Sequence, residues 1–234
     1  MDTQAWTHLI ERGVGRCLER ARWTAPPVSP LKIARRLGIT IIRDGRLAAR
    51  GRCTRLEGRP VIAVADEDRP ERLEWTVAHE LGEIAFPELL ADRPDLVASL
   101  AEHDRLREQV ANLFATRLLL PTPWFRETWR ETAGDLLALK DRFTTASHEL
   151  IAWRMLDASP HSIISIFDQG RLTRRRGNGA ASAPPLHALE QTLLARLAAH
   201  RAPLSLATDG LTATGWPIDE PGWRRDILRL SADD

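Results

Sequence analysis

The sequence predicts an α+β fold in which a short β-sheet packs on helices. Two observations carry that prediction. Apolar residues recur at helical spacing in several segments, the longest near 3–22, 70–86 and 102–120. Two pairs of short runs, near 48–56 with 60–65 and near 162–167 with 172–175, flank turn residues as the arms of hairpins do.

The elements follow in order. Trp6, Leu9, Ile10, Val14 and Leu18 place one apolar stripe along a first helix. Pro26, Pro27 and Pro30 interrupt the chain. Leu31 to Leu37 reads as a short helix stopped by Gly38, which can take the left-handed conformation a helix end needs. Ile39-Thr40-Ile41-Ile42 reads as a strand, and Glu57-Gly58-Arg59 as the turn of the first hairpin. Asp68-Arg69-Pro70-Glu71 is a helix start: Asp68 caps, Pro70 suits the first turn, and Glu71 sits where a capping box closes. That helix is expected to stop at Phe86, before Pro87. The next runs from about Glu102 to Leu120, where Pro121 ends it, with Leu106, Val110 and Leu113 as its apolar face. Two shorter helices follow near 134–142 and 147–157, then the second hairpin across Asp168-Gln169-Gly170.

This gives a main domain over 1–176 and a linker over 177–185, Gly177 to Pro185. A C-terminal extension over 186–234 has Leu189, Leu193 and Leu197 on a helix. Trp216, Trp223, Ile227 and Leu228 are too few for a core of their own, so this helical extension is expected to dock on the main domain.

Composition narrows the functional classes. The 234 residues carry a formal net charge of +1, so no global field points to nucleic acid or a membrane surface. Lysine occurs only at Lys32 and Lys140, and arginine supplies the rest of the positive charge. Two cysteines, Cys17 and Cys53, make neither a disulfide framework nor a Cys-x-x-Cys metal pair. No signal peptide is expected behind Met1-Asp2-Thr3-Gln4, and no stretch approaches the roughly 20 apolar residues of a membrane span. A cytoplasmic setting is the expectation.

The chemistry concentrates in His79-Glu80-Leu81-Gly82-Glu83. At about 100° per residue, Glu83 lies about 40° and Glu80 about 100° from His79, while Leu73, Val77, Leu81 and Ile84 fall at about 120° to 200°. One arc buries, and the adjacent arc presents an imidazole and two carboxylates. A metal-dependent hydrolase needs two ligands one turn apart with a base beside the bound water. The bland alternative is a charged, solvated helix face, because the zinc-peptidase motif has a second histidine where this chain has Glu83. On the following helix, Glu108 shares an arc with Asn112 and Ala115. Small residues there admit a neighbouring helix, so Glu108 is either a third ligand or a surface acid.

Taken together, Trp75-Thr76-Val77-Ala78-His79-Glu80-Leu81-Gly82, Glu108-Gln109-Val110-Ala111-Asn112-Leu113-Phe114-Ala115 and Leu118-Leu119-Leu120-Pro121 resemble the ImmA/IrrE family of metallopeptidases. The resemblance covers about 31–176, with Ile33 to Ile39 upstream and Arg142-Phe143, Ser147 and Arg154-Met155-Leu156 downstream. It implies a small gluzincin-like metallopeptidase fold. It implies a zinc centre with His79 and Glu108 as ligands, Glu80 as general base and Asn112 supporting the ligand carboxylate. It also implies a helix-turn-helix repressor as protein substrate, cut to release stress or mobile-element genes. Glu83 departs from the family's pattern: a second carboxylate cancels the charge of the metal and weakens it as a Lewis acid. Oxygen ligands also erode the preference for zinc over manganese or iron(II). With Glu83 as third protein ligand, an altered metal preference, a weak site and a metal-free relic all stay open.

Other candidates are weaker. His103 would have to swing from outside or the very start of its helix, and nothing places His148 or His161 near Glu80. Leu137 to Leu156 has the length of a helix-turn-helix, but Ile151, Ala152, Trp153 and Met155 offer little to base edges. The run Arg171 to Arg176 reads as a solvated hairpin edge. The expectation is a metal-dependent endopeptidase, with neither membrane nor direct nucleic acid as partner. Its rival is a non-catalytic regulator that keeps the fold and binds a repressor.

Overall fold

The structure is a computed structural model that describes residues 3–67, 69–91, 104–159, 161–179, 182–208 and 210–232. The expected cap Asp68, the start of the second long helix at Glu102, and His103 lie outside the described residues. The chain divides into two compact units, 1–130 with 140–147, and 131–139 with 148–234.

The first unit opens with α1 (Thr3–Arg20) and α2 (Pro30–Arg36). Ser29 caps α2 by accepting from the Lys32 N–H at 3.3 Å, and Gly38 leaves it at φ +74°. Strands β1 (Thr40–Arg43), β2 (Gly51–Leu56) and β3 (Arg59–Val64) form a sheet of order β1-β3-β2. β1 runs parallel and β2 antiparallel to β3. The central strand is the one whose residues are all apolar after Pro60: Val61, Ile62, Ala63 and Val64 are buried, while Arg52, Arg55 and Leu56 on the edge strand are exposed. Glu57 and Gly58 both take positive φ, the two-residue turn that matches the twist of a hairpin.

Helix α3 (Pro70–Ala91) packs on this sheet and against α4 (Asp104–Leu119); α5 (Thr122–Glu131) follows. Two expectations change here. α3 does not stop at Phe86 but continues through Pro87 for another turn. The ring of Pro87 forfeits a helical hydrogen bond, yet Leu89 beyond it is 1% exposed and rests on Gly13 of α1, where any Cβ would strike it. Burial of one leucine, worth about 2 kcal/mol, offsets much of the proline's cost of about 3 kcal/mol. On α4 the buried face is Val110, Ala111, Phe114, Ala115 and Leu118; Leu113 is only half-buried. The face is rotated toward the small residues because α3 comes close there.

In the second unit, α7 (His148–Met155) precedes β4 (Ser162–Asp168) and β5 (Arg171–Gly177), and α8 (Ala188–His200) precedes β6 (Leu204–Thr208), β7 (Leu211–Glu220) and β8 (Trp223–Ala232). A helix α6 (Leu136–Arg142) begins in this unit and ends in the first. The five strands form an antiparallel sheet of order β5-β4-β8-β7-β6. Leu193 and Leu197 of α8 pack on Phe167, Ala213, Leu228 and Leu230. Gly215 of β7 admits them, since a Cβ there would meet Leu193 Cδ2 at 3.2 Å and strike Leu197.

Among the described residues of 186–234, α8 is the expected helix, and β6, β7 and β8 are strands where a helical extension was expected. Pro217 hides the alternation, but it sits in β7 beside buried Trp216 and Ile218. Trp216 donates its indole N–H to Asp135 at 2.9 Å, and Trp223 stays 38% exposed. The described part of 177–185 is tied down: Asn178 accepts from Ser162 N at 2.9 Å, and Arg175 donates to the Pro184 carbonyl at 2.8 Å. Among the described residues no helix is long and apolar enough to cross a membrane.

Candidate metal centre

The centre is built where α3 and α4 touch. Gly82 makes that approach possible: a Cβ there would lie 3.1 Å from the backbone of Ala111 and 3.1 Å from Phe114 Cβ. One turn before it, His79 faces α4. Its Nδ1 is 3.1 Å from Asn112 Oδ1, and the Asn112 amide nitrogen donates to Glu108 Oε1 at 3.1 Å. One amide thus orients both groups. With Asn112 presenting its oxygen to Nδ1, a neutral imidazole would carry its proton there and leave the lone pair of Nε2 for a cation. That Nε2 is 3.5 Å from Glu108 Oε2. Two ligands on a cation at about 2.0–2.1 Å in tetrahedral geometry lie about 3.4 Å apart, so this spacing is the edge of such a site.

Glu83, one turn beyond His79, completes the cluster. His79, Glu83 and Glu108 each offer an atom within 4.8 Å of the other two. An imidazole nitrogen and two carboxylates fit a divalent cation in number, type and spacing, with the donor set leaning toward hard oxygen. His79 and Glu83 are mostly covered, with side chains 17% and 12% exposed, whereas Glu108 is 60% exposed. The site therefore has an open side.

Glu80 lies beside the three, 7% exposed. Burial pushes its carboxyl above the usual range and the charges of Glu83 and Glu108 add to that, while the His79 ring and the Cys53 backbone N–H pull the other way; the net shift is upward. Gly51 sits against it, since a Cβ at Gly51 would lie 2.5 Å from Thr76 Cγ2 and 2.8 Å from Glu80 Oε1. Arg50, Gly51, Trp75 and Thr76 join His79, Glu80, Glu108 and Asn112 around a cleft of about 250 Å³.

All five residues read from the sequence, His79, Glu80, Glu83, Glu108 and Asn112, are brought together in the first unit. Two others are not among them: His148 opens α7, and His161 lies in a turn at φ +46° before β4. Sequence reading missed Arg107, whose guanidinium pairs with Glu83. Its only signal is its place beside Glu108 opposite an acid that replaces a neutral histidine.

No curated protein matches the chain. A solved structure described as a Mycobacterium tuberculosis transcriptional regulator aligns over 96% of this chain and 76% of its own, at 18% identity and a TM-score of 0.64. At that identity the likeness is one of fold, and it agrees with the α+β architecture. The family model for the IrrE N-terminal-like domain of peptidase M78 matches residues 34–154, a span that takes in α3, α4 and every residue of the cluster. The chain thus belongs to the peptidase M78 family of metal-dependent peptidases and carries its IrrE N-terminal-like domain.

Proposed function

We propose that the chain is a cytoplasmic metal-dependent endopeptidase whose substrate is a protein, a helix-turn-helix transcriptional repressor. The observation that carries the reading is the convergence of His79, Glu83 and Glu108 beside a buried Glu80 in an open cleft. His79, Glu83 and Glu108 would hold the cation, zinc or, given two carboxylates, manganese or iron(II). Bound there, the cation supplies Lewis acidity to a scissile carbonyl and acidity to water. Asn112 keeps the His79 tautomer and the Glu108 carboxylate in place. Glu80 takes the proton of the attacking water and passes it to the leaving amine, work that suits a carboxyl raised by burial. Cys53 N–H and the absence of a side chain at Gly51 hold Glu80 against the cleft.

One observation favours a second reading. Glu83 already has a cationic partner in Arg107, so the pocket carries compensation without a metal. A regulator with this fold would bind the repressor without cutting it, and the fold is shared by a protein described as a transcriptional regulator.

Metal content decides between them. Protein purified free of metal and reconstituted is expected to retain about one divalent ion per chain. Glu80→Gln is expected to keep that ion and lose cleavage of a purified repressor by about 10²- to 10⁴-fold. Stoichiometric repressor binding with no metal retained would establish the regulator instead.

A further inference from the structure

We propose that Arg107 is the positioning residue that makes a glutamate workable as a metal ligand at position 83. It holds one oxygen of the carboxylate so that the other faces the cation, and it returns the positive charge that a second carboxylate removes. The inference rests on the metal-site reading above.

Geometry is the first argument. Arg107 brings both Nε and a terminal nitrogen to Glu83, and both reach the same oxygen, Oε2. An arginine–carboxylate pair that serves only itself commonly spreads two donors over two oxygens. Among the described residues no hydrogen bond to Oε1 is seen, and one Glu83 oxygen lies within 4.8 Å of ligand atoms of His79 and Glu108.

Burial is the second. The Glu83 side chain is 12% exposed and that of Arg107 50%, so the guanidinium reaches in from solvent to an acid that is largely out of it. A carboxylate withdrawn from water needs compensation, and a free glutamate side chain would sample several rotamers. The guanidinium answers both needs.

Charge and chain position are the third. A divalent ion on one imidazole and two carboxylates is neutral in sum; a guanidinium on the outer oxygen brings the cluster back to one positive charge. That is the charge that two imidazoles and one carboxylate leave. Arg107 and Glu108 are consecutive on α4, so the helix that delivers one acid to His79 also delivers the counter-charge to Glu83.

The test is zinc affinity of the full chain, stripped of metal and titrated against a chromophoric chelator, with cobalt(II) absorption as a second readout. Wild type, Arg107→Gln, Arg107→Lys, Glu83→His and the double variant Glu83→His/Arg107→Gln are compared. Arg107→Gln is expected to weaken zinc binding by about tenfold or more and to shift the cobalt bands. Arg107→Lys recovers part of the loss, because an ammonium restores the charge but not the two-donor hold. In the Glu83→His background, Arg107→Gln does not weaken binding, since the imidazole offers no carboxylate to hold. Equal zinc affinity of wild type and Arg107→Gln, or the same loss in both backgrounds, overturns the proposal while the metal site stands. A melting midpoint of metal-free Arg107→Gln well below wild type marks a merely structural pair and also overturns it. Failure of the wild type to take up any metal removes the site and this inference together.

Discussion

Two arginine–glutamate pairs in this molecule have the same chemistry and opposite designs. In the second unit, Arg175 reaches Glu190 Oε1 at 2.6 Å with one nitrogen and Oε2 at 2.8 Å with the other. Ser165 Oγ lies 3.0 Å from Oε1, and the His187 N–H donates to Oε2 at 2.9 Å. Glu190 is 0% and Arg175 9% exposed, so every lone pair is engaged and water is shut out. In the first unit, Arg107 reaches Oε2 of Glu83 from solvent, and a Glu83 oxygen lies within 4.8 Å of ligand atoms of His79 and Glu108. A saturated pair is a fastening. An unsaturated one beside an imidazole has chemistry left to do. Counting ion pairs would treat them alike; counting unfilled lone pairs separates them.

The contrast breaks most visibly at the fastening. Glu190→Ala leaves a guanidinium out of water without its partner and also removes the capping box of α8. The expected loss is about 3–5 kcal/mol in urea unfolding followed by tryptophan fluorescence, with zinc affinity unchanged. A loss under about 1 kcal/mol would make Glu190 no more structural than an exposed acid. Next in size is Gly82→Ala, which forces α3 from the backbone of Ala111. It is expected to cost about 1–3 kcal/mol and to weaken metal binding as well, because His79 and Glu108 separate with the helices. If stability falls and zinc affinity does not, the helix approach does not set the site.

How much of this was legible follows the range of the interactions. Local backbone chemistry was readable: Glu57-Gly58 and Gln169-Gly170 both take the positive φ their hairpins require, and Gly38 ends α2 as expected. Periodicity placed His79, Glu80 and Glu83 on one arc of α3. What failed depends on contacts far along the chain. Pro87 reads as a stop until Leu89 is seen resting on Gly13. The Pro/Gly/Trp-rich end around Trp216 and Pro217 shows no strand pattern until β8 is paired beside β7. The run Arg171 to Arg176 reads as a solvated edge, and β5 is an edge strand with all of these residues exposed except Arg175. Arg175 is what the reading missed: it is held against Glu190. Arg107 escaped for the same reason: helical spacing says which residues share a face, but not which acid on the next helix that face meets.

A smaller stability effect is expected at the unsaturated pair itself. Glu83→Ala removes an ion pair whose guanidinium is half-exposed and should cost about 1 kcal/mol or less in unfolding. Zinc affinity should fall by about tenfold or more. The ratio of the two effects is the opposite of that for Glu190→Ala, and equal ratios would erase the distinction between the pairs.

The smallest effect concerns pH. Asp168 in the second unit is partly saturated: Arg225 donates to Oδ1 at 2.6 Å and Thr173 to Oδ2 at 2.8 Å. Burial raises its carboxyl, but the hydrogen bonds from Arg225 and Thr173 and the charges of Arg225 and Arg174 outweigh it, and the net shift is downward. A carboxyl depressed in the folded chain stabilises it above the unfolded value, about 3.9, and that stabilisation is lost as pH falls through the depressed value. Wild type should therefore lose more stability between pH 6 and pH 3, roughly the range over which carboxylates protonate, than Asp168→Asn does. Parallel curves for the two proteins would mean that the folded chain does not depress the Asp168 carboxyl and that Arg225 spends its charge on Glu149, 3.1 Å from its other arm.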